Sequence, residues 1–131
     1  MFDPEKFLEF AKKIIYCNED VDREAKRRTA INRAYYATFL TLREYLSSDP
    51  KIRHWDVYFA MKRKNRVLAK KFDKLWIRRI AADYYLKLPI SLRGFEGDFY
   101  REIKCDDKDV QKALMIADEI INKIKSNSEL K

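Results

Sequence analysis

Glycine, proline and glutamine are scarce in this 131-residue chain, which holds two glycines, three prolines and the single glutamine Gln111. So few turn-forming residues exclude the repeated tight reversals of a β-sandwich or barrel, and an all-α fold is predicted, a four- to five-helix up-and-down bundle in one domain. Cysteine is nearly absent as well. Cys17 and Cys105 stand far apart and His54 is the only histidine, so neither a disulfide framework nor a zinc site of recognisable spacing is expected. Two reduced, buried thiols in a cytosolic protein are the expectation instead. Long apolar runs are missing too. The longest uncharged stretch, Ala34 to Leu42, is too short for a bilayer, and Met1 to Lys6 lacks a basic region followed by an apolar run, so neither export nor membrane insertion is expected. No glycine-rich phosphate loop appears, and Glu5 with Glu9 and Asp106, Asp107 and Asp109 read as charges that complement helix starts, so no cofactor and no metal are anticipated.

Charge and hydrophobicity are what the chain has in quantity: 47% of residues are hydrophobic and 38% charged, with a net charge of +8. The excess is localised. Residues 51–104 carry fifteen basic and six acidic side chains, whereas the segments on either side are close to balanced. Such a block attracts polyanions through phosphate contacts and counterion release, which makes Arg53, Lys62, Arg63, Lys64, Arg66, Lys70 and Arg78 candidate nucleic-acid contacts. The alternative is a solvated basic face.

Helical spacing divides the chain. Asp3-Pro4 opens a first helix carrying Phe7, Phe10, Ala11, Ile14 and Ile15, ending near Cys17-Asn18. Asp20 or Asp22 caps a second helix that reaches about Leu46 and stops at Ser47-Ser48-Asp49-Pro50. On it Ala30, Ala34, Ala37 and Thr41 form a ridge of small side chains beside a broad apolar face, the pattern of a helix at the centre of a bundle. A third helix from His54 to about Arg63, a polar break and a fourth helix from Leu68 to Leu86 follow. Asp106 to Asp109 start a last helix whose stripe is Val110, Leu114, Ala117, Ile121 and Ile124. A long loop is expected at about 88–105, either packed back on the bundle or acting as a basic, aromatic flap through Arg93, Phe95, Phe99, Tyr100 and Arg101. A frayed tail is expected at 126–131.

The fourth helix holds an anomaly. At 100° per residue Arg79 and Asp83 project from the same sector as Leu68, Phe72, Leu75, Ala82 and Leu86, so two charges point toward the core. Such charges need a partner or a purpose. Arg33 lies beside the small-residue ridge of the second helix, and it is expected to meet Arg79 and Asp83 in a polar centre that includes Tyr36. If Asp83 neutralises a buried arginine, its removal should cost about 3–5 kcal/mol.

The segment Arg28-Thr29-Ala30-Ile31-Asn32-Arg33-Ala34-Tyr35-Tyr36-Ala37-Thr38-Phe39 resembles the SRAYYAxF helix of small prokaryotic HEPN-domain proteins. Arg79-Ile80-Ala81-Ala82-Asp83-Tyr84 is similar to the matching RxxADY segment, and His54 stands where many members carry a histidine ahead of the third helix. The resemblance spans roughly residues 5–85. It implies a homodimeric helical bundle from a toxin–antitoxin, defence or RNA-processing system, binding RNA or a nucleotide, or docking a nucleotidyltransferase partner. For the family's ribonucleases it also implies metal-independent attack of the RNA 2′-hydroxyl on the adjacent phosphorus, with an arginine stabilising charge and a histidine four to six residues later moving protons. Here the arginine is Arg79, but Asp83, Tyr84 and Tyr85 occupy the following positions. A carboxylate is a poor proton donor at neutral pH. Were the chain such an endoribonuclease, the candidate catalytic residues would be Arg79, Asp83, Tyr84 and His54, the last only if the third helix brings it beside Arg79.

Overall fold

In a computed structural model residues 2–17, 22–47 and 49–126 are described, and they form five α-helices and one β-hairpin. Helix α1 (Glu5–Ile14) starts where Asp3 Oδ1 accepts the Glu5 N–H at 3.0 Å, and it buries Leu8 and Ala11 against α2 (Arg23–Leu46). Of the two expected caps for α2, Asp22 serves: its Oδ1 accepts the Ala25 N–H at 2.9 Å. Asp20, Asn18, Ser48 and the expected frayed tail beyond Ser126 lie outside the described residues.

Helix α2 packs against all four other helices, as its broad apolar face requires. Ala30, Ala34 and Ala37 are fully buried, and the small ridge lets neighbouring backbones approach closely. Helices α3 (His54–Lys64) and α4 (Arg66–Tyr84) are separated by Asn65 alone. Its extended backbone breaks the helix, its N–H closes α3 on the Met61 carbonyl at 2.7 Å, and its side chain caps α4 at the Leu68 N–H, 3.1 Å away. Helix α5 (Asp107–Ser126) buries all five residues of its expected stripe.

The expected loop at 88–105 is instead a hairpin of β1 (Ile90–Arg93) and β2 (Phe99–Ile103), antiparallel, with Leu92 opposite Tyr100 and Arg93 opposite Phe99. The physical reason is the alternation of Ile90-Ser91-Leu92-Arg93, which puts Ile90 and Leu92 toward the bundle, together with a turn in which Gly97 adopts φ +88°. Leu92, Phe95 and Tyr100 pack back on the helices, while Phe99 stays half exposed between Arg93 and Arg101, whose guanidinium carbons lie 5.2 and 5.9 Å from its ring centre. Among the described residues no helix is long and apolar enough to cross a membrane.

Candidate functional site

Two residues of α2 and two of α4 build a polar junction where these helices meet. Arg33 Nε donates to Asn32 Oδ1 at 2.7 Å, Asn32 Nδ2 donates to both Asp83 oxygens at 3.0 and 2.8 Å, and Asp83 Oδ2 lies 2.7 Å from Arg79 Nε. Arg33 therefore reaches Asp83 through Asn32 and not directly. The expected polar centre is assembled, with an amide at its middle that charge patterning alone could not flag. Arg79 Nε is buried and its N–H is not aimed at the carboxylate, so the contact is an ion pair without an aligned hydrogen bond. Asp83 sits in the last turn of α4, with its side chain 21% exposed against 10% for Arg79. The inward-facing member is the arginine; the carboxylate stands at the rim. Arg28 holds this helix end in place by donating to the carbonyls of Ala82 and Tyr85 at 3.1 and 2.7 Å.

On its other side Arg79 enters a cage of tyrosines. Its Nη2 donates to the Tyr36 hydroxyl at 2.7 Å and reaches the Tyr84 hydroxyl at 3.4 Å, while its guanidinium carbon lies 5.1 to 5.6 Å from the ring centres of Tyr35, Tyr36 and Tyr84. The remaining nitrogen, Nη1, has no partner among the described residues. His54, at the start of α3, stacks on Phe39 with ring centres 4.3 Å apart and meets the buried Tyr35 hydroxyl through Nδ1. Burial holds Tyr35 protonated well above its ordinary range, and its hydroxyl has no other partner among the described residues; donation to Nδ1 satisfies it and corresponds to the neutral His54 tautomer with its proton on Nε2. Burial first, then the charges of Arg79 and Arg43, lowers the His54 pKa below its ordinary value.

His54 and Arg79 open on one cleft of about 630 Å³, whose lining also includes Arg53, Trp55, Trp76 and Tyr84. Gly94 and Phe95, from the hairpin turn, close one wall. Phe95 stacks on Trp76 with centres 4.1 Å apart and on Tyr58 at 4.8 Å. Asp73 fixes that wall. It is fully buried in α4, and it accepts the Phe95 N–H and the Tyr100 hydroxyl, both at 2.8 Å. Burial and this hydrogen bond hold Tyr100 protonated far above neutrality. Asp73 and Trp76 are the positioning residues that sequence reasoning missed. Their neighbours Ala69 and Ile80 share one helical sector, which was a readable second apolar face once a hairpin was available to cover it.

The candidate nucleic-acid contacts divide. Arg53 lines the cleft, and Arg63 and Arg66 are exposed at the α3–α4 junction with Lys64. Lys62 pairs with Glu96 and Lys70 with Asp98, both on the hairpin. Arg78 is removed from the basic face altogether: its Nε donates to Asp109 Oδ1 at 3.0 Å with both side chains nearly buried, because Asp109 also receives the Lys104 and Cys105 N–H groups at the start of α5.

Two other clefts are weaker candidates. The largest, about 950 Å³, lies away from this chemistry and sets Asp3, Glu5 and Glu44 against Arg43, Lys64 and Lys125. That balance gives an ion of either sign no net attraction. A third, about 590 Å³, contains Arg28 and Arg33, whose guanidinium groups are committed to helix carbonyls and to Asn32, beside Asp83.

Comparison of the chain with protein-family models, curated proteins and solved structures yields no match in any of the three.

Proposed function

We propose that this protein is a HEPN-like module of a toxin–antitoxin, defence or RNA-processing system that binds RNA or a nucleotide in the cleft around Arg79. The observation that carries this reading is the make-up of the cleft: Arg53, Arg79 and His54 stand among aromatic rings, and no carboxylate lines it. Guanidinium groups recognise phosphate and aromatic rings accept stacked bases, so one concave surface offers both halves of a nucleotide a partner. Asp83 pairs with Arg79 through Nε, and Asp83 is not among the residues that line the cleft.

The test is retention of mixed RNA in chelator at low salt by wild type, Arg53→Gln and Arg79→Lys. Binding that weakens in both variants supports the reading, and retention unchanged by either variant overturns it. The resemblance adds a homodimer and a nucleotidyltransferase partner, which sedimentation and identification of proteins recovered with the chain from its native cells would test.

A second reading is a metal-independent endoribonuclease, favoured by the convergence of Arg79 and His54 in one cleft. There the RNA 2′-oxygen attacks phosphorus, a cyclic phosphate forms and the 5′-oxygen leaves with a proton. Arg79 would stabilise the charge on phosphorus-bound oxygens, His54 would move protons, Asp83 would orient Arg79, and Tyr84 would stand at the mouth. RNA cleavage in chelator, lost in His54→Gln with binding retained, would favour this reading over binding alone.

A further inference from the structure

The same cleft has a shape that selects among nucleic acids, and this step rests on the nucleotide-binding reading above. Arg79 is only 8% exposed and lies among three tyrosine rings, so a phosphate reaches it only by entering the cleft. One face of Trp76 is already occupied, because Phe95 stacks on it at 4.1 Å. Trp55 differs. Its ring is supported by Phe59 and Phe95 at 6.1 and 6.0 Å, the residue remains 50% exposed, and it shares the cleft lining with Arg53. A half-uncovered indole that lines the same cleft as Arg53 and Arg79 offers a base a stacking platform within one binding site.

A duplex cannot use both features together. Its phosphates ride on a convex ridge while its bases are paired and stacked inside, so a base cannot lie on Trp55 while a phosphate enters the cleft. The volume of about 630 Å³ also suits one small ligand better than a helix groove. We infer that the cleft takes a single unpaired nucleotide, its phosphate against Arg53 and Arg79 and its base stacked on the open face of Trp55. The nucleotide can be free or part of a single strand.

The experiment titrates the intact chain, by tryptophan fluorescence and filter retention, with adenosine 5′-monophosphate, single-stranded oligoadenylate, a blunt RNA duplex and inorganic phosphate. Oligoadenylate is expected to bind at least about 10-fold tighter than duplex or inorganic phosphate, and Trp55→Leu to weaken it by roughly 5- to 150-fold, the range for losing one stacked base. If the monophosphate competes with oligoadenylate and shows the same dependence on Trp55, a free nucleotide is the ligand. If it does not bind, the nucleotide is read within a strand, and both outcomes support the inference. Equal affinity for duplex and single strand, measured on wild type, overturns it without relying on any variant. Unchanged binding in Trp55→Leu with loss in Arg53→Gln also overturns it while sparing the phosphate-binding reading. Binding unaffected by Arg53→Gln and Arg79→Lys brings down that reading itself.

Discussion

Arg79 and Asp83 behave differently at the level of single side chains. The 100° spacing correctly points Arg79 inward, but Asp83 falls in the final turn of α4, where the helix end meets solvent. An Asp83→Ala variant leaves an arginine that still donates to Tyr36 and lies against three rings, so the cost is expected to be about 1–2 kcal/mol and not the 3–5 kcal/mol of a fully buried pair. Urea midpoints of the two proteins check this, and a loss above that range would mean that Arg79 depends on the carboxylate alone. His54 gives a second prediction. It faces the Tyr35 hydroxyl, the Tyr36 ring and Arg43 from α2, Arg79 from α4 and Arg53 from its own helix start, with no carboxylate in contact among the described residues. Its folded-state pKa lies below the ordinary 6.5, so the unfolded chain binds the proton more readily. The contribution is therefore fully present above about pH 6.5 and is lost as pH falls below that value toward the folded-state pKa. Melting temperatures between neutral and mildly acidic pH should fall more in wild type than in His54→Gln; parallel curves would count against a buried neutral imidazole.

The hairpin is the element on which sequence and structure part, and Gly94 is where it is pinned. A Cβ at this position would lie 2.1 Å from Asp73 Oδ2, and Asp73 cannot turn away without abandoning the Phe95 N–H and the Tyr100 hydroxyl. Gly94→Ala should therefore destabilise the protein by about 2–4 kcal/mol, through overpacking and a strained buried carboxylate, while Gly97→Ala, in open space, acts only through its positive φ. Denaturation midpoints of the two variants separate these causes; equal losses would mean that the Asp73 latch is not what holds the hairpin. The helices were legible because each carries a self-contained signal, such as the Asp22 cap or the α5 stripe. The hairpin was not, because its strands are four and five residues long and are held by a carboxylate about twenty residues earlier in the chain. For the same reason Arg33, Tyr36, Arg79 and His54 could be singled out from motif and spacing, whereas Phe95 could be named only as part of a packed loop or flap and not placed as the cleft wall opposite Trp76.

Taken as one charged body, the protein uses its basic excess unevenly. The net charge of +8 and the fifteen cations of residues 51–104 suggest a broad polyanion-binding face. Folding answers Lys62, Lys70, Lys71 and Arg78 with Glu96, Asp98, Glu119 and Asp109, which tie the hairpin and α5 to the α3–α4 pair. The cations that line the cleft itself are Arg53 and Arg79. If a nucleotide of single-stranded RNA binds there, its one phosphate is neutralised by the two arginines, and log K should fall against log salt with a slope of about −0.7. Engagement of the exposed α3–α4 junction through Arg63, Lys64 and Arg66 would steepen that slope by about 0.7 for each further phosphate. With the cleft alone engaged, reversing Arg63 and Arg66 to glutamate should weaken binding modestly through the long-range field, and raising the salt should reduce its effect. The same substitutions should leave the measured slope nearly unchanged, because they remove steering without removing a neutralised phosphate. A slope of about −3, collapsing in the reversed variant, would extend the binding surface from the cleft to the basic junction.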